Sequence, residues 1–260
     1  MKEIFTQERV FTQSDFDSFA ALSQDFNPIH IDEKFAQRTH FGRTVAHGIY
    51  LYSILFEALN EIAPIGENTS SKIIFPAPCF TNTPMIIGIK RCEEGQFVLR
   101  CQDLSSGQEV CLVNIPNTPN DGAPLNQSDG KSSGNLQLAQ IAQQTRIFND
   151  KDILDYYSLL KAHGSSRFVP KPLINAVFSK LLGIDLPGLG TNYLKQETTY
   201  FHDAIIGEKL NFQVKIMRLR ISKKLVDLET ICHGEDGRII ANGRALVSAR
   251  DVKNAFEITL

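Results

Sequence analysis

Apolar and polar positions along the chain fall into two similar series. In the first, Ser14 is a good helix cap, with Asp15 and Asp17 in the first turn. Phe16, Phe19, Ala20 and Ser23 then recur at helical spacing. A second helix is expected over Ile49–Leu59, apolar on most faces and therefore wrapped by other structure. Strand-like runs follow at Lys72–Phe75, Met85–Arg91, Phe97–Asp103 and Glu109–Ile115.

The second series repeats this order. Asn149 or Asp150 can cap a helix running through Leu160. Another helix is expected from about Pro172 to Leu182, with proline tolerated in its first turn and Gly183 and Pro187-Gly188 ending it. Alternating strands then span Tyr193–Phe201, Lys209–Arg218, Lys224–His233 and Arg238–Ser248, with a hairpin turn at Glu235-Asp236-Gly237. Between the series, Pro116 to Gly134 holds turn formers and few large apolar groups, as a linker does. The chain therefore divides into a repeat over 1–116, a flexible linker over 117–136 and a second repeat over 137–260. Ser53–Leu59 and Ala176–Leu182 match in apolar pattern, which points to an internal duplication.

The chain has 260 residues, 42% hydrophobic, enough for one large domain or two small ones. A formal net charge of -2 gives no basic surplus for nucleic acid. The first residues carry an acid and no apolar core of a signal peptide, and no run reaches the roughly 18 apolar residues of a membrane span. A cytoplasmic protein is expected. The five cysteines form no Cys-x-x-Cys pair and read as buried free thiols, so no metal site is expected.

The chemistry concentrates in Asp25-Phe26-Asn27-Pro28-Ile29-His30 and in Phe41-Gly42-Arg43-Thr44-Val45-Ala46-His47-Gly48. A carboxylate and an imidazole share a short proline-stiffened loop. A glycine turn then opens the buried helix. Adding or removing water requires a group that takes a proton, one that gives a proton, and a donor for a developing oxyanion. All three are present.

These motifs resemble the signature of the MaoC-like, R-specific enoyl-CoA hydratase (hydratase 2) family. Ala176 to Gly183, Leu186-Pro187-Gly188, Tyr193-Leu194-Lys195-Gln196 and Gly207-Glu208-Lys209-Leu210 are similar to the later part of that fold. The resemblance implies an α+β double hotdog: two long buried helices, each wrapped by an antiparallel sheet, joined as an internal pseudo-dimer. It implies reversible hydration of trans-2-enoyl-CoA to the (R)-3-hydroxyacyl thioester. The family's catalytic pair falls on Asp25 and His30, and its oxyanion donor on the Gly48 N–H. On this reading Asp25 takes a proton from water, and His30 holds that water and protonates C2. Asn27 and His47 shape the loop or touch substrate.

The substrate brings coenzyme A with it and no separate cofactor is implied. Arg43, Lys72 and Arg91 are candidates for its phosphates. The second half carries no counterpart of the acid loop, and Pro170-Lys171 stands where His-Gly would be, so one site is expected. In the eukaryotic double-hotdog relatives that the resemblance brings in, the competent half is usually the second; here the order is reversed. The serine that single-repeat relatives carry on the central helix falls at Phe56, which alters the expected first-half pocket. Ser179 reads as core or as one wall of the acyl tunnel. The alternatives are a 3-hydroxyacyl-carrier-protein dehydratase, with an acyl-carrier protein as partner, and a non-catalytic acyl-CoA-binding protein. Pairing of two double hotdogs into a homodimer is a further expectation.

Overall fold

The computed structural model describes residues 1–116, 134–164 and 167–256. The first repeat runs β1 (Lys2–Val10), α1 (Gln13–Ser23), two single turns α2 (Pro28–Ile31) and α3 (Glu33–Ala36), α4 (Gly48–Ile62), β2 (Thr69–Ile74), β3 (Pro84–Arg91), β4 (Phe97–Asp103) and β5 (Glu109–Ile115). The second runs β6 (Ile141–Ile147), α5 (Asp150–Leu160), α6 (Lys171–Lys180), β7 (Asn192–Tyr200), β8 (Lys209–Arg220), β9 (Leu225–His233) and β10 (Ile239–Ser248). Helix α6 continues into a π-helical turn, Leu181–Asp185.

The strand order is β1-β3-β4-β5-β2-β7-β10-β9-β8-β6, so each half of the sheet reads as the other in mirror order. The two sheets are not separate. Strands β2 and β7 pair antiparallel from Thr69↔Tyr200 to Ile74↔Lys195, fusing them into one ten-stranded sheet. Helices α4 and α6 pack on each other, and α4 also lies against β3, β4 and β5. This is the α+β double hotdog.

Helix α4 is buried along nearly all its length, including Ile49, Tyr50, Tyr52, Leu55 and Leu59. Each large side chain so buried contributes roughly 1.5–3 kcal/mol. Its polar residues are satisfied in place. Ser53 Oγ donates to the Ile49 carbonyl at 2.8 Å, and Glu57 accepts from the Tyr156 hydroxyl of α5 at 2.9 Å.

Three expectations need correction. The cap of α1 is Thr12, not Ser14: Thr12 and Asp15 form a reciprocal capping box. Strands β1 and β6 were not expected; both are sheet edges with mostly exposed side chains, so neither shows a buried alternating face. Residues 117–133 of the expected linker lie outside the described residues. Its last part is packed structure, for Leu136 is buried in the core and the Asn135 N–H donates to the Asn254 carbonyl.

Candidate active site

The acid loop begins where α1 stops. Gln24 takes a left-handed conformation (φ 59°) that ends the helix and turns the chain into Asp25. The Ser23 hydroxyl accepts the Asp25 N–H at 3.2 Å. The Asp25 carboxylate then accepts the Asn27 N–H at 3.3 Å, closing a turn. Asn27 caps α2 through its Oδ1, with Pro28 preset for the first helical position. That single turn delivers His30. Asn27 thus shapes the loop, and its Nδ2 also reaches the Gly183 carbonyl of the second repeat at 3.3 Å.

The His30 ring is oriented from the other side. Val45 bridges to Phe80, and the Ala46 N–H donates to the Cys79 carbonyl, which fixes the segment before α4. The Val45 carbonyl lies 2.8 Å from His30 Nδ1. A carbonyl only accepts, so Nδ1 carries the proton and Nε2 of the neutral ring is a lone-pair acceptor.

His47 plays a similar structural part. Its Nε2 donates to the Asp25 backbone carbonyl at 3.0 Å, and its ring stacks on His30 with centroids 3.7 Å apart. It is the cap residue of α4 and does not line the cavity. It holds the loop.

Asp25, His30 and His47 offer ligand-type atoms all within 4.8 Å of one another. Two imidazoles and a carboxylate could hold zinc, and they are also the groups that acid–base chemistry requires. Burial shifts their proton affinities. It raises the Asp25 carboxyl above the usual aspartate range, against the opposing pull of His30, the Asn27 N–H, Ser179 and Lys180. It lowers His30, with Asp25 and the Val45 contact opposing, and lowers His47 further, with His30 adding to the effect.

A cavity of about 400 Å³ opens on this pair. Gly48 faces it as the first residue of α4, where position alone leaves the backbone N–H without an intrahelical acceptor. A Cβ on Gly48 would stand 2.7 Å from the Phe75 ring, so glycine lets Phe75 close in as a wall. Leu51, Cys79 and Val110 supply apolar lining from the first repeat. Leu182, Gly183, Tyr193 and Leu194 supply it from the second, so the pocket belongs to both.

The serine comes from the second repeat. Phe56 and Ser179 are each the ninth residue of α4 and α6. Ser179 lines the cavity, with its hydroxyl 3.5 Å from Asp25 Oδ2. Phe56 instead lines a smaller cavity of about 140 Å³ in the mirror position, with Glu57, Lys171 and Asp203. There Ala162 follows the left-handed Lys161 as Asp25 follows Gln24, and Pro170-Lys171 opens α6. Lys171 pairs with Asp203 at 2.8 Å.

The three cation candidates separate. Arg43 lies over the Phe80 ring at 4.1 Å, and Phe80, Phe41 and His40 line the cavity, so Arg43 stands at the rim. Lys72 does not line it. It points outward between buried Ser71 and Ile73, in a charge ladder Lys72↔Glu197↔Arg244↔Glu229↔Lys215. Arg91 ends β3 opposite Lys2 and lies over Phe97, away from the cavity. Closeness in sequence to the motif does not carry across a strand that turns its side chain outward.

The fold and this constellation define a double hotdog with an acid–imidazole site in its first repeat. Solved double hotdogs overlie nearly the whole chain. A MaoC-like dehydratase does so at TM-score 0.69 and 12% identity, over 95% of this chain and 97% of that one. A Mycobacterium tuberculosis protein described as having a double hotdog fold does so at TM-score 0.68 and 8% identity, over 95% and 96%. Residues 1–90 match the family model of the MaoC like domain, and the chain as a whole has the double-hotdog fold.

Sequence relatives match about a quarter of the chain. An (R)-specific enoyl-CoA hydratase of Aeromonas caviae is 38% identical over 69 residues, 24% of this chain and 52% of that protein. A 3-hydroxybutyryl-CoA dehydratase of Methylorubrum extorquens is 39% identical over 64 residues, 25% of this chain and 40% of that protein. The chain spans about half the length of the relatives it matches.

Proposed function

We propose that the protein catalyses reversible addition of water to a trans-2-enoyl thioester, giving the (R)-3-hydroxyacyl thioester, at one site per chain. The observation that carries this reading is the juxtaposition of Asp25 and His30, facing one apolar cavity that Gly48 also borders. Names of the relatives point the same way: enoyl-CoA hydratase and 3-hydroxybutyryl-CoA dehydratase.

The hydrogen bonds suggest how the protons move. His30 has its Nδ1 proton committed to Val45, and burial favours the neutral ring. Its Nε2 can take a proton from water as the water oxygen bonds to C3. Negative charge then runs onto the thioester oxygen, where the Gly48 N–H receives it; one such donor is worth roughly 2.7–4 kcal/mol. Asp25, biased by burial toward its protonated form, gives a proton to C2. Passage of a proton from His30 to Asp25 resets the pair. This exchanges the two roles expected from sequence; the assignments differ only in which partner starts with the shared proton.

Coenzyme A is the carrier we favour, because the Arg43 guanidinium stacked on Phe80 stands at the cavity rim. The test is hydration of crotonyl-CoA by the purified chain, followed as loss of enoyl absorbance with chiral analysis of the product and repeated in EDTA. The expected result is (R)-3-hydroxybutyryl-CoA with and without chelator. Turnover confined to a crotonyl group on an acyl-carrier protein would transfer the activity to that carrier. Formation of the (S)-product, or no turnover on either carrier, would overturn the reading.

A further inference from the structure

We infer that Arg146, in the second repeat, is a positioning residue for the acid loop of the first. The inference rests on the hydratase reading for its kinetic consequence only.

Arg146 is the next-to-last residue of β6 and is 6% exposed. Its Nη2 donates to the Leu22 carbonyl at 2.6 Å and its Nη1 to the Ser23 carbonyl at 3.1 Å. These belong to the last carbonyls of α1, which lack intrahelical donors. Helix α1 has no basic residue in its own last turn, so the cation that meets the negative end of its dipole comes from the other repeat. The guanidinium is held over the Phe148 ring at 4.5 Å and near Asp152 at 3.5 Å.

The site held is the point where helix becomes acid loop. Ser23 has its carbonyl fixed by Arg146, while its hydroxyl accepts the Asp25 N–H. Ser23, which leads into the loop, is therefore tied to one buried fork. Arginine suits this role, since its planar donors reach two carbonyls at once.

The fold contains its own control. Arg9, next to last on β1, donates to the Leu159 and Leu160 carbonyls at the end of α5, each at 3.1 Å. The two clamps are reciprocal, each repeat gripping the other's first long helix. Beyond α5 the chain enters Lys161 and Ala162, where no carboxylate follows. Removing either clamp loosens a helix end, but only the Arg146 clamp leads into Asp25.

The experiment compares Arg146→Met with Arg9→Met in the full chain. Both are expected to lower Tm. With Arg146→Met, kcat for crotonyl-CoA hydration is expected to fall by about 10²-fold, with KM changed by less than about twofold. Arg9→Met is expected to keep kcat within about twofold. Amide hydrogen exchange is expected to speed up over Asp25–His30 in Arg146→Met, and only near Lys161–Gly164 in Arg9→Met. Equal kcat losses at matched folded fraction, or unchanged exchange at Asp25, overturn the proposal. If Arg146→Met does not fold, Arg146→Lys is read in the same way, since lysine keeps the charge but lacks the planar fork that meets the two carbonyls from two separate nitrogens. Should the wild type hydrate nothing, the hydratase reading falls, and exchange at Asp25–His30 alone decides the role of Arg146.

Discussion

The Ser179 hydroxyl of α6 lies 3.5 Å from the Asp25 carboxylate of the first repeat, so the candidate site is closed across the pseudo-dimer. The contact is long, and its expected worth is that of one modest hydrogen bond. Ser179→Ala should lower kcat for crotonyl-CoA by about two- to tenfold, the kinetic equivalent of roughly 0.5–1.5 kcal/mol. The bond also favours the ionised carboxylate, so its loss should move the kinetic ionisation of Asp25 upward. Ser179→Phe installs the residue that α4 carries at the same helical position and should abolish binding by filling the cavity. A pH–rate profile for the alanine variant and acyl-CoA titration of the phenylalanine variant check the two.

Asp25 and His30 should each be indispensable, though neither should be needed for folding. Asp25→Asn keeps an oxygen for the Asn27 N–H, and His30→Ala removes a ring that is only partly enclosed. Each variant should lose about 10²–10⁴ in kcat, the usual worth of a positioned acid or base. Single-turnover hydration together with circular dichroism separates the chemical loss from unfolding. Retention of wild-type turnover by Asp25→Asn would remove the carboxyl group from the mechanism.

Gly48 should be required for the shape of the pocket as well as for its N–H. An alanine Cβ there meets the Phe75 ring at 2.7–2.9 Å, far inside normal contact. The ring is the yielding partner, and it borders the cavity. Gly48→Ala should therefore raise KM and lower kcat, both by about tenfold or more, at a stability cost of about 1–3 kcal/mol. Adding Phe75→Ala should restore part of the activity, which steady-state kinetics on the double variant would show. With no recovery, the loss lies in the backbone at Gly48 and not in Phe75.

Most elements could be read from the chain because one face of each is buried. Helix α4 declared itself by being apolar all round, and β4 and β5 match their expected bounds residue for residue. The acid loop was legible because Asp25, Asn27, Pro28 and His30 act within a few residues of one another. Ser179 was read as core or a tunnel wall, and it does line the cavity, but its contact with Asp25 was not legible, because that depends on which side of α6 faces the opposite repeat. Phe56 was placed in the wrong pocket for the same reason. Arg146 gave no signal, since a buried arginine whose partners are backbone carbonyls a hundred residues away looks like any charged residue on an edge strand. The cap of α1 was misread because Thr12 and Ser14 both suit the role, and only the Thr12–Asp15 pair forms.

The buried imidazoles should make the protein lose stability in mild acid. His47 is 1% exposed, its Nδ1 has no partner among the described residues, and burial holds its pKa well below 6.5. His30 is shifted the same way. In the unfolded chain both gain protons near pH 6.5, whereas the folded chain resists, so the unfolded state binds more protons as pH falls and stability drops with it. Each histidine contributes a slope of at most about 1.4 kcal/mol per pH unit below that point. Asp25 acts in the opposite sense. Its raised pKa makes the folded state the better proton binder between the ordinary aspartate range and its own value, so it gives back stability as pH falls through that window. His47→Gln keeps a side-chain donor for the Asp25 carbonyl but cannot titrate. Urea unfolding from about pH 5 to about pH 8 should show a less stable variant at the upper end, with a shallower decline below about pH 6.5 by up to one proton's slope. An unchanged slope would mean that His47 takes up its proton in the folded protein as easily as in the unfolded chain.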